Sequence, residues 1–136
     1  MNTHVPKIIA ASDTAVTLTD NDVGFVLVPD LDADCTFTLP SPDKGRWFEF
    51  SYSGVAADAH DWIIDSGSDT NYFVGGLSYV DDAPAANAVA GDGNSNSKVT
   101  ILVPEPGTQV RLVGDGTLWH LSGWVAAASA PTFADQ

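Results

Sequence analysis

Asp30, Asp32 and Asp34 in PDLDADC are spaced like the first three calcium ligands of an EF-hand loop. The rest of that loop is missing. Cys35 stands where the sharp turn needs glycine, and Ser41 stands where a bidentate glutamate closes the coordination shell. A calcium site of another kind would have to recruit Asp20 and Asp22 from TDNDVG. Aspartates in turns more commonly hydrogen-bond their own backbone, and that is the expectation here and for Asp92, Asn94 and Asn96. No metal or cofactor is therefore expected. His4, His60 and His120 fall in a terminal segment, a loop and a strand, with no G-x-S-x-G, H-E-x-x-H, C-x-x-C or Gly-rich phosphate loop in the chain. No catalytic residues are assigned, and the protein is expected not to be an enzyme.

The charge balance narrows the partners. Sixteen aspartates and two glutamates against five basic residues give a net charge of −13, and such a surface repels the phosphate backbones that nucleic-acid binders neutralise with Lys and Arg. The bias to Asp over Glu is that of a chain rich in turns, because Asp favours turns and caps and Glu helix interiors. Cys35 is the single cysteine and has no partner for an internal disulfide. The N-terminal MNTHVPKIIAAS falls short of a secretory or membrane-spanning segment, so a soluble, unexported chain that does not engage membranes is expected.

The elements that must position any site are short and β-rich. Runs at 15–19, 24–29, 35–40, 46–52, 61–65, 71–80, 98–104, 109–113 and 117–125 are each bounded by Gly, Pro, Asn or Asp, which predicts an all-β, single-domain antiparallel sandwich or barrel, jelly-roll-like in kind. No helical period extends over 11 residues. Residues 83–90, APAANAVA, offer one helical turn at most, and Pro84 with the following GDGNSNS favours a long loop over 81–97. Residues 1–12 and 126–136 read as extended arms on either side of a β-domain over 13–125. Val5, Ile8 and Ile9 in the first arm and Phe133 in the second then require a neighbouring surface.

VRLVGDGTLWHLSGW, residues 110–124, predicts a hairpin. A two-residue turn at Asp115-Gly116 pairs Gly114 with Thr117, Leu112 with Trp119 and Val110 with Leu121. It places Val110, Leu112, Trp119 and Leu121 on one buried face and Arg111 opposite His120 on the other. With Phe37 and Leu39 these form the expected core. A loop one residue longer would exchange inside for outside along one strand. By the same alternation Trp124 falls on the face of His120, either returned to the core by a bulge at Gly123 or left as an interface aromatic.

LTDNDVG (18–24), TLPSPDKGRWFEF (38–50) and DGTLWHLSG (115–123) together resemble the patterns L-T-x-x-D-x-G, T-L-P-x-P-x-x-G-x-x-F-x-F and D-G-T-x-W-x-x-x-G of small virion proteins of tailed phages, marine phages especially. The resemblance covers about residues 16–125, and the chain departs from it in its 81–97 segment and very low isoelectric point. It implies a capsid decoration, or cement, protein on the outer surface of the phage head. Such a protein binds the major capsid protein, forms a homo-oligomer that is commonly a trimer, and stabilises the shell by bridging subunits. The alternative is a tail-fibre or receptor-binding β-module recognising host glycan through Tyr72, Phe73 and Tyr79. A small hydrolase of jelly-roll type would need histidines clustered with carboxylates.

Overall fold

A computed structural model describes residues 5–80, 86–127 and 129–136. They form twelve strands in two sheets facing each other across one core: β1 (Lys7–Ile8), β2 (Ala15–Thr17), β3 (Gly24–Val28), β4 (Cys35–Thr38), β5 (Trp47–Tyr52), β6 (Trp62–Asp65), β7 (Phe73–Val80), β8 (Ala86–Asp92), β9 (Lys98–Ile101), β10 (Gln109–Gly114), β11 (Trp119–Ala126) and β12 (Thr132–Ala134). The seven-stranded sheet runs β1-β3-β5-β10-β11-β7-β8, and the five-stranded sheet runs β12-β9-β6-β4-β2. Neither closes, so the architecture is an all-β sandwich and not a barrel. A single 3₁₀ turn, Asp20–Asp22, is the one helical element among the described residues, and no helix is long and apolar enough to cross a membrane.

The sheets are mixed, where a purely antiparallel arrangement was expected. From β2 to β6 the chain passes from one sheet to the other at every connection, so each strand returns to its sheet running the same way as the last. The pairs β2–β4, β4–β6, β1–β3 and β3–β5 are accordingly parallel. The second half then folds back: β9 pairs antiparallel with β6, and the β10–β11 hairpin enters between β5 and β7. Parallel sheets are usually covered on both faces and read as continuous apolar runs. Here each is covered on one face only, so its strands carry the alternation typical of antiparallel ones.

Alternation fills the space between the sheets. Phe50 of β5 meets Phe37 of β4 and Trp62 of β6 across the gap, with ring centroids 5.2 and 6.4 Å apart, and Phe48 packs beside Trp119 of β11 within the seven-stranded sheet at 6.0 Å. Leu39, Val110, Leu112 and Leu121 are buried with them. Burying side chains of this size contributes about 1.5–3 kcal/mol each, and nearly all of it is shared between the sheets. The indole N–H groups of Trp62 and Trp119 have no acceptor among the described residues, a cost the packing must outweigh.

The β10–β11 hairpin keeps its expected faces but not its expected partners. Leu112 lies opposite Leu121, Gly114 opposite Trp119 and Arg111 opposite Ser122, a register two residues away from that of a two-residue turn. The cause is Asp115. Its carboxylate accepts the backbone N–H groups of Thr117 and Leu118 at 2.8 and 2.7 Å, while its own N–H donates to the Leu118 carbonyl. A four-residue loop is thereby closed. Because side chains alternate with period two, a shift of two leaves inside and outside unchanged.

The expected 81–97 loop also needs correction. Residues 86–92 are strand β8, paired antiparallel with β7 from Val80↔Ala86 to Val74↔Asp92; residues 81–85 of the expected loop and helical turn lie outside the described residues. Described residues of both expected arms are integrated as well. Ile9 is buried in the core, its N–H donating to the Leu27 carbonyl. Phe133 in β12 pairs with Val99 and packs on the core from the side. Ile9 and Phe133 thus fill sites in their own chain, not on a neighbour.

Candidate functional site

The side chains that the core does not absorb gather on the outer face of the seven-stranded sheet. In β5, Phe48, Phe50 and Tyr52 point inward, which sends Trp47, Glu49 and Ser51 outward. The register carries the same division across the sheet. One outer row runs Phe25, Glu49, Arg111, Ser122, Gly76 and Ala90, and the next Leu27, Ser51, Gln109, Trp124, Ser78 and Ala88. Phe25 is 46% exposed, Trp124 43% and Ile8, beside Leu27 on β1, 70%. Val5, just before β1, is exposed as well.

Trp124 keeps the strict alternation of β11, so no bulge returns it to the core; it stands between Gln109 and Ser78. Phe25 and Trp47 meet edge to face with centroids 5.4 Å apart. The Arg111 guanidinium lies over the Trp47 ring, its Cζ 5.3 Å from the centroid, in register with Glu49. A cation stacked on an aromatic that is itself held by a second ring has little freedom left to lose on binding. Tryptophan and arginine so placed are the residue types that dominate protein–protein contacts. Phe25, Trp47 and Arg111 were not singled out from the sequence. The signal for Trp47 was present, since Glu49 and Ser51 mark its phase of β5 as the wet one. For Phe25 it was absent, because both phases of GFVLV are apolar.

One corner of the sandwich fixes that face. Thr19 and Asp22 close a capping box around the 3₁₀ turn. The Arg46 guanidinium, largely buried, donates to Asp20 through Nε at 2.7 Å and pairs with Asp43 at 3.2 Å. Gly116 N–H donates to the Pro42 carbonyl, and Gly114 donates its N–H to the Arg46 carbonyl while its own carbonyl accepts the Gly45 N–H, which clamps the hairpin to the start of β5. Gly114 has no alternative, because a Cβ there would meet the Pro42–Asp43 backbone at 2.5 Å. The three motifs that were far apart in the sequence are this corner.

The aspartates weighed as calcium ligands are dispersed. Asp20 serves Arg46, and Asp22 serves the Thr19 cap and Lys7. Asp34 accepts the Asp61 N–H, with His60 3.7 Å away. Asp58 is buried between two crossing loops, accepting the N–H groups of Leu31 and His60. Burial raises its pKa, and the hydrogen bond and charge of Asp30 beside it push the same way. Asp92 accepts from Asn94, Ser95 and the Ser95 hydroxyl, which hold it down to about 2, the Ser95 side chain most strongly. No group of three or more candidate ligands converges among the described residues.

The residues weighed for catalysis and for glycan binding are likewise dispersed. His120 Nε2 lies 2.7 Å from Asp115. Asp115 is held down to about 2, by the Leu118 N–H first and then by His120. The Cys35 thiol is buried and pushed up to about 11 by that burial, then by Asp13, the reverse of an activated nucleophile. Phe73 is fully buried and Tyr79 packs on the core, so Tyr72, Phe73 and Tyr79 form no common platform. His4 lies outside the described residues. Comparison of the chain with protein-family models, with curated proteins and with solved structures gives no match.

Proposed function

We propose that this chain is a binding protein of a virion, a decoration protein that sits on the outer surface of a phage head and ties capsid subunits together. The observation that carries the binding role is the ordered aromatic face of Phe25, Trp47, Arg111 and Trp124 on a rigid sheet. The sequence resemblance to tailed-phage virion proteins supplies the setting. In this reading the aromatic face meets the major capsid protein, Val5 and Ile8 extend the contact, and the acidic surface faces solvent. A homotrimer brings several such faces to the shell at once, and linked sites gain affinity without new contacts.

The mechanism is mechanical. Flat, preorganised aromatic side chains bury area at low entropic cost, and the sandwich behind them transmits load between the subunits it bridges. The test is occupancy on heads of the encoding phage prepared without this protein. The unaltered chain should saturate them, and a Phe25→Ser, Trp124→Ser double variant of unchanged melting temperature should leave them bare. Failure of the unaltered chain to bind, or full occupancy by the double variant, would contradict the reading.

A further inference from the structure

The two arginines of the chain are employed in opposite ways. Arg46 is consumed: its guanidinium donates to Asp20 and to the Ser41 hydroxyl and pairs with Asp43. Arg111 is exposed and, among the described residues, makes no ion pair and no side-chain hydrogen bond; its one fixed contact is the Trp47 ring, its Cζ 5.3 Å from the centroid. In a chain with 18 acidic residues this is unexpected. Glu49 lies directly across the ladder from Arg111, yet the two form no ion pair. Stacking on the indole holds the guanidinium away from that acid and restricts its plane, leaving all five N–H donors to solvent.

The surroundings narrow what can take those donors. Away from Glu49 the row continues through Ser122, Gly76 and Ala90, so the ladder sets no bulky side chain in the way of a group approaching along it. A surface that covers Phe25, Trp47 and Trp124 also covers this guanidinium, and a charge desolvated without a partner is strongly unfavourable. A planar fork held in one orientation matches the oxygens of a carboxylate or of a phosphate. The net charge of −13 decides between them. Phosphates come in arrays, on nucleic acid or on an anionic membrane, and this chain repels such arrays. A single carboxylate can be carried on a protein surface that is otherwise apolar or basic.

We infer that Arg111 is the charged anchor of the aromatic face and takes one carboxylate side chain, Asp or Glu, of the partner protein, with apolar groups around that acid to meet Phe25 and Trp124. The inference rests on the reading of this face as the binding surface. Glu49 leaves the patch without net charge, so a free anion gains little there, and the acid has to be delivered by a docked surface.

Binding titrations on heads of the encoding phage prepared without this protein test it. Arg111→Gln, of unchanged melting temperature, should bind about thirtyfold more weakly than the unaltered chain. Arg111→Lys, which keeps the charge but not the fork, should recover only a minor part of that loss. Glu49→Gln should bind at least as tightly as the unaltered chain. On heads whose surface carboxyls have been capped as neutral amides, the unaltered chain should fall to the level of Arg111→Gln, and that variant should lose little more. Equal binding by Arg111→Gln, a loss on Glu49→Gln as large as that on Arg111→Gln, or capping that spares the unaltered chain or weakens both chains alike would each overturn the inference. The binding face itself would still stand in those cases, provided the Phe25→Ser, Trp124→Ser variant leaves the heads bare. Heads that the unaltered chain does not bind would overturn both.

Discussion

The outer faces of the two sheets are built by the same alternation and finished differently. The five-stranded sheet shows the solvent Thr17, Thr36, Thr38, Thr100 and Thr132, with Ile63, Asp65 and Lys98 among them. Threonine suits a strand through its β-branch, and its hydroxyl is satisfied by water. The seven-stranded sheet shows Ile8, Phe25, Trp47 and Trp124 instead, with Arg111 stacked on Trp47. One face is complete when wet; the other leaves aromatic area unburied, which marks interaction surfaces.

The two faces share a single core, and its loss should abolish both. Trp119→Ala is expected to cost about 3–5 kcal/mol in chemical denaturation. Trp119→Phe should cost much less than its lost volume implies, because it also removes an indole N–H that has no acceptor among the described residues. Equal losses for the two variants would contradict that account of the core.

Next in size is the difference between the faces themselves. Trp124→Ala should weaken partner binding by about 2 kcal/mol or more while shifting stability by under about 1 kcal/mol. Thr36→Ala with Thr100→Ala should leave binding within about twofold, a small fraction of one hot spot. Titration of each variant against the partner reads both, and comparable losses on the two faces would remove the distinction. At the corner that fixes the aromatic face, Arg46→Ala should destabilise by about 1 kcal/mol, less in high salt because Asp20 is exposed.

The smallest effect is a pH dependence in the crossing loops that join the sheets. The pKa of Asp58 is raised by burial first and by Asp30 in addition. Its contribution is therefore complete below the ordinary carboxyl pKa and lost as pH rises through the raised value. Asp92 and Asp115, held at about 2, behave oppositely, contributing above the ordinary value and losing it as pH falls toward 2. Asp30→Asn should raise the melting temperature at pH 7 by roughly 1–2 °C and leave it unchanged at pH 3. An equal shift at both pH values would show that Asp30 does not act through Asp58.

The two halves of the chain were unequally legible. Val110, Leu112, Trp119 and Leu121 could be placed on one face before their partners were known, because a period of two survives a two-residue slip. The direction of the early strands could not be read: a parallel sheet bare on one side writes the same alternation as an antiparallel one. β8 was hidden by its Ala, Asn and Gly, weak strand formers that become a strand only through pairing with β7. Ile9 was hidden by the shortness of β1. The Asp30, Asp32 and Asp34 spacing suggested ligands, but partners distant in sequence, Asp58 and Asp61 among them, set what those loops do.

Electron microscopy of the native particle tests the central claim most directly, because it shows which face of the sandwich meets its partner. The account predicts density on the head exterior with Phe25, Trp47 and Trp124 turned into the capsid and the threonine face turned to solvent. Density seated through the threonine face, or found on the tail, would contradict it.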